Sequence, residues 1–155
     1  MKKYQPFIQE ELQKKGMPKD LLAVPLVESG YRPLDQSKNP VLAAGIWQII
    51  PETGKRLGLV INENQDDRLD TALSTKAALT YLNANHEQFN DWRLAVIAYE
   101  IGENNTDQLI QKTGSRDAWV LARSSDAPES LKKFIAMFDA ALIIVHNPSL
   151  INERS

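Results

Sequence analysis

The sequence predicts an all-α, mainly helical domain, and three observations carry that prediction. Apolar residues recur at three- and four-residue intervals in several segments, the spacing of one helix face. No sustained alternation of apolar and polar residues, the period of a half-buried strand, interrupts them. Glycine and proline fall where such helices would stop and start, at Gly16, Pro18, Gly58, Gly102 and Pro148.

Taken in order, Phe7, Ile8, Glu11 and Leu12 outline a first helix with a narrow apolar face, stopped by Gly16. Pro18 suits the start of the next, whose first turn carries Asp20. Leu21, Val24 and Glu28 lie about one turn apart, so Glu28 shares a face with buried positions. Pro25 falls inside this helix and is expected to remove one backbone bond and bend it. Residues 30–44 read as loop, because Gly30, Pro33, Asp35, Ser37, Asn39 and Pro40 all form turns or caps. A short apolar stretch from Ala43 to Ile50 follows, and Pro51-Glu52-Thr53-Gly54 opens a helical piece to Leu57, closed by Gly58. Residues 61–70 are polar and acidic. Thr71 or Ser74 can cap a helix whose apolar set is Ala77, Ala78, Tyr81 and Leu82. Asp91 precedes another, through Trp92, Leu94, Ala95, Ile97, Ala98 and Tyr99, which Gly102 ends. Thr106 to Lys112 is a short helix. A final helix runs from about Pro128 to His146, with Phe134, Ile135, Phe138, Ala141, Leu142 and Val145 inward, and Pro148 stops it. The connections are too long for an up-down bundle, so a compact helical domain with a cleft is expected.

The chain has 155 residues, which predicts one domain over 1–155 with a real core and no need of metal or disulfide support. Its formal net charge is -2 with acids and bases interspersed, whereas a nucleic-acid binder concentrates basic residues on one face. No nucleic-acid partner and no polybasic membrane anchor are expected. The absence of cysteine excludes disulfides, thiol catalysis and thiolate metal sites. Met1-Lys2-Lys3 is not followed by an apolar stretch, so no signal peptide and no membrane span are expected in this chain.

Glu28 is the most informative residue. It ends the apolar run Leu21-Leu22-Ala23-Val24-Pro25-Leu26-Val27 and is followed by Ser29-Gly30-Tyr31. Such an arrangement can hold one carboxylate at a cleft rim, where partial desolvation lets it donate a proton near neutral pH. That is the chemistry of glycosidic bond cleavage. Asp66, Asp67 and Asp70 lack the glycine and terminal glutamate of a calcium loop and are expected to cap and to pair around Arg68. His86 and His146 have no companions at ligand spacing, so neither a metal nor a cofactor is expected.

Three blocks carry a resemblance: Glu28-Ser29-Gly30-Tyr31, Gly45-Ile46-Trp47-Gln48-Ile49-Ile50-Pro51-Glu52-Thr53-Gly54, and Ala98-Tyr99-Glu100-Ile101-Gly102. In this order and spacing they resemble the signature blocks of the soluble-lytic-type lytic transglycosylases, which have a goose-type lysozyme-like fold. The nearest subgroup is that of the catalytic domain of membrane-bound lytic transglycosylase D. Asp67, Arg68 and Asp70, the helix from Ser74 to Leu82, Asp91-Trp92, Glu129-Ser130 and Asn147-Pro148 agree with that subgroup. The resemblance implies cleavage of peptidoglycan glycan strands without water. An acid protonates the glycosidic oxygen and the muramic acid C6 hydroxyl attacks its own C1, leaving a 1,6-anhydro end. One carboxylate then suffices where hydrolases generally use two.

The resemblance makes Glu28 the catalytic acid/base and Ser29, Gln48, Tyr99 and Glu100 substrate-binding positions, with Trp47 packed beneath the cleft floor. It also implies a periplasmic or cell-envelope location. Several positions depart from the family pattern. Glu100 stands where the family has asparagine, and Ile101 where it has a small residue. Lys133 and Phe134 occupy the neighbourhood of a cleft tyrosine, and residues 38–42 alter the approach to Gly45. These departures leave a second reading open: a catalytically weak or inactive relative that acts as a peptidoglycan-binding, sensory or interaction domain. A plain hydrolase would need a second carboxylate such as Asp35 or Glu100.

Overall fold

A computed structural model describes residues 1, 3–36 and 39–152 of the chain. The fold is all-α. Nine α-helices are described: α1 (Gln5–Lys14), α2 (Ala23–Ser29), α3 (Pro51–Arg56), α4 (Thr71–Phe89), α5 (Trp92–Ile101), α6 (Glu103–Thr113), α7 (Ala118–Arg123), α8 (Glu129–His146) and α9 (Ser149–Asn152). Short 3₁₀ turns occupy Lys19–Leu22 and Asp67–Leu69. The only extended pairings among the described residues are two isolated bridges, Ala44 with Ile49 and Ile61 with Asp66.

Packing divides the chain into two compact units. One comprises residues up to Thr80 together with those from Ala141 onward, and the other comprises Tyr81–Ala140. In the first unit, Ile8 and Leu12 bury the apolar face of α1, while Phe7 stays 36% exposed and does not join that face as the spacing suggests. The reason is angular: Ile8 and Leu12, four residues apart, share one face, while Phe7 is turned about 100° from Ile8 around the helix. In the same unit, His146 of α8 meets Asp20 at 2.7 Å. In the second unit, α5 packs against α6 and α7, and α6 against α7.

Pro25 does not bend a long helix. The chain forms a 3₁₀ turn over Lys19–Leu22 and starts α2 afresh at Ala23, so Pro25 is the third residue of α2. The first backbone N–H groups of a helix have no intrahelical partner, so the missing proline donor forfeits nothing there.

The cap of α4 also differs from expectation. Asp70, rather than Thr71 or Ser74, accepts the Leu73 N–H at 2.8 Å. Ser74 is buried inside the helix, where its hydroxyl donates back to the Asp70 carbonyl at 2.6 Å. Asp91 caps α5 as expected, accepting from the Leu94 N–H at 2.9 Å. Replacing Asp91 by alanine is expected to lower the unfolding free energy by about 1 kcal/mol, read as a lower urea midpoint at unchanged slope. Helix α7 had no counterpart in the sequence pattern; Asp117 caps it by accepting from the Trp119 and Val120 N–H groups.

Candidate active site

The first unit brings two of the three blocks together. Glu28 and Ser29 are the last two residues of α2, and Gly30 (φ 61°) and Tyr31 (φ 60°) then turn the chain left-handed twice in succession. Tyr31 is not glycine, and this conformation is strained for it. Its ring is buried and its hydroxyl donates to the Leu22 carbonyl at 2.7 Å, which holds the turn. Burial in apolar surroundings raises the Tyr31 pKa above the ordinary tyrosine value. Glu28 is half-buried, with Oε1 out of solvent contact.

The Gly45–Gln48 block forms a tight turn closed by a pair of bonds. The Ala44 N–H donates to the Ile49 carbonyl and the Ile49 N–H to the Ala44 carbonyl, each at 3.1 Å. Within it Ile46 and Trp47 are buried, and the Trp47 indole donates to the Thr75 hydroxyl of α4 at 2.9 Å. Trp47 is therefore packing, as expected. Gln48 sits half-buried at φ 49°, and its side-chain Nε2 donates to the Gly45 carbonyl at 2.8 Å. The link between the blocks is Ser29. Its buried hydroxyl donates to the Ile46 carbonyl at 2.7 Å and lies 3.2 Å from the Pro25 carbonyl. The residue after the carboxylate is thus bonded to the turn that carries Gln48.

Beneath that turn lies Arg68, with a fully buried side chain. Its Nε and Nη2 donate to Asp66 at 2.8 and 2.7 Å. Asp66 both caps the 3₁₀ turn and pairs with Arg68, the roles expected of this acidic stretch. The hydrogen bond from Arg68 holds the Asp66 pKa below the ordinary carboxylate value of 3.8. A depressed folded-state pKa contributes stability that is present above the unfolded value and lost as pH falls through the folded one. Acid titration of unfolding is therefore expected to show an Asp66 contribution that disappears only below pH 3.8 and is absent in Asp66→Asn.

The third block lies in the second unit. Tyr99 is half-buried in α5 and Glu100 is exposed beside it. The Tyr99 ring lies 5.6 Å from that of Tyr81, whose hydroxyl donates to Glu103 at 2.7 Å. The sequence pattern does not single out Glu103, whose one signal is an acid directly after the helix-ending Gly102. Phe134 is buried, whereas Lys133 lines a groove of about 690 Å³ with Trp119, Glu129, Ser130, Lys132 and Ala136. Trp119 is half-buried, with its indole donating to Asp139 at 3.1 Å. Asn39 is bonded to Ala43 through both side-chain atoms, while Ser37 and Lys38 lie outside the described residues.

Comparison with known proteins bears on the family and the fold. Membrane-bound lytic murein transglycosylase D of Escherichia coli (strain K12) is 36% identical over 141 residues, covering 88% of this chain and 31% of that protein. The protein of the same name in Escherichia coli O6:H1 gives the same figures. The chain thus spans about a third of the length of these relatives. The X-ray structure of an inactive mutant of lytic transglycosylase Slt from Pseudomonas aeruginosa matches with a TM-score of 0.70 at 21% identity, covering 92% of this chain and 24% of that one. That likeness shows the fold, which is goose-type lysozyme-like. The transglycosylase SLT domain model matches residues 5–122, and the chain belongs to that family.

Proposed function

We propose that this chain is a single lysozyme-like domain that cleaves the bond between muramic acid and glucosamine in peptidoglycan glycan strands, without water. Glu28 is the catalytic acid/base. Its proton goes to the glycosidic oxygen as the C1–O bond breaks. The C6 hydroxyl of the same muramic acid forms the new bond to C1, and its proton returns to Glu28. No water is consumed, and a 1,6-anhydro end remains. The observation that carries this reading is the Ser29–Ile46 hydrogen bond at 2.7 Å, which joins the end of α2 to the Gln48 turn. A single partly desolvated carboxylate therefore ends a helix whose next residue is bonded to the turn that carries Gln48, and a positioned acid of this kind is what proton transfer to a leaving oxygen requires. Ser29 and Gln48 are proposed as substrate-binding residues. Tyr99 and Glu100 are proposed for the same role on the family resemblance. A periplasmic or cell-envelope location goes with this reading, supported by the similarity to the membrane-bound relatives.

Digestion of purified peptidoglycan, with products read by mass spectrometry, tests the proposal. Anhydromuropeptides are the expected product, and reducing ends alone would point to hydrolysis instead. The second reading, a peptidoglycan-binding, sensory or interaction domain with little activity, is favoured by Glu100 and by the buried phenyl ring of Phe134, which offers no hydroxyl. Intact glycan that nonetheless retains the folded protein in a sedimentation assay would select that reading.

A further inference from the structure

We infer that Arg68 is a positioning residue for the Ser29–Gln48 side of the site, acting through the turn at 44–49; this rests on the function proposed above. A guanidinium offers five N–H donors. The structure shows five bonds from this one: to Asp66 Oδ1 and Oδ2, to Gln36 Oε1 at 2.7 Å, and to the Leu42 and Ile49 carbonyls at 2.6 and 3.1 Å. Leu42 and Ile49 stand at either end of the segment that contains Ile46 and Gln48. One rigid planar group therefore sets the distance between the ends of the turn. The Arg68 backbone adds a second constraint. A Cβ placed on Gly45 would lie 1.9 Å from the Arg68 carbonyl oxygen, so the two backbones touch.

The turn in its place presents the Ile46 carbonyl to Ser29 and holds Gln48 in a left-handed conformation. A buried ion pair often adds little to stability compared with apolar side chains of the same volume. Stability alone therefore does not account for a guanidinium with every donor directed. Lysine at this position would keep the charge near Asp66, but a single ammonium cannot reproduce a planar fork that reaches carboxylate, amide and two carbonyls together.

Hydrogen exchange on Arg68→Lys decides the question without reference to activity. The Ala44, Gln48 and Ile49 amides, which donate within the turn, are expected to exchange about tenfold faster, the effect of losing one or two directed hydrogen bonds. Amides of α5, α6 and α7 are expected to be unchanged. On soluble glycan strands the same variant is expected to raise KM about tenfold while kcat stays within about threefold. Should Arg68→Lys not fold, Gln36→Ala removes one of the five bonds from an exposed residue, and a smaller acceleration of about twofold in the same three amides is expected. Unchanged exchange in the turn, or acceleration spread equally over both units, would overturn the inference. Failure of the wild type to make anhydro ends would remove the proposed activity while leaving the exchange result to stand.

Discussion

Replacing Glu28 by glutamine is expected to lower the rate of anhydro-end formation by about 10²–10⁴-fold, the range for loss of a positioned general acid. The amide has nearly the volume and hydrogen-bonding reach of the carboxyl group, so the half-buried position at the end of α2 accommodates it. It cannot deliver a proton to a leaving oxygen or take one from a hydroxyl. The helical signal and urea midpoint should therefore match the wild type while product disappears. The two steps assigned to Glu28 fail together in this variant, so substrate affinity should be nearly unchanged and the whole loss should fall on kcat. A Glu28→Gln protein that still releases anhydromuropeptides at the wild-type rate would remove Glu28 from the mechanism.

Gly45→Ala is expected to destabilise the first unit by about 3 kcal/mol or more, combining backbone strain with overpacking. Gly45 has φ 80°, and the added methyl would fall 1.9 Å from the Arg68 carbonyl oxygen and 2.9 Å from its carbon. Both are backbone atoms and cannot swing aside. Gly58 provides the control. Its φ is 85°, yet a methyl there meets nothing within 4 Å. Gly58→Ala should therefore report only the left-handed strain, about 1–2 kcal/mol. A difference between the two variants in urea unfolding measures the collision with Arg68. Equal losses would show that the turn can slide away from Arg68.

Much of this architecture was legible because helices announce themselves through spacing and punctuation. Asp91 and Gly102 bound α5 as the sequence indicates, and the buried positions of α8 follow its apolar rows except at Leu142, which is half-buried. What escaped depends on contacts between distant residues. Helix α7 has six residues, too few to establish a period. Pro25 looks like a helix breaker until the helix is seen to restart at Ala23, a choice set by packing rather than propensity. Glu103 lies 22 residues from Tyr81, and no local pattern foretells their bond. For the candidate site, the motif blocks pointed to Glu28, Ser29 and Gln48, but the bond from Ser29 to Ile46 spans 17 residues and no local pattern foretells it. Arg68 was expected to pair with its acidic neighbours; its reach to Gln36, Leu42 and Ile49 was not visible, because two of those partners are backbone carbonyls.

Helix α2, which ends in Glu28 and Ser29, has only seven residues. Isolated helices shorter than about 12–15 residues do not persist in water. This one exists because Ala23, Val24 and Pro25 are held in the core. Its carboxylate therefore keeps its setting only while the apolar side chains of α2 stay packed. A nascent or locally opened chain carries the same glutamate but no organised acid. Local packing thus governs when the proposed chemistry is available, and core substitutions beneath α2 should silence the site before they unfold the rest of the molecule.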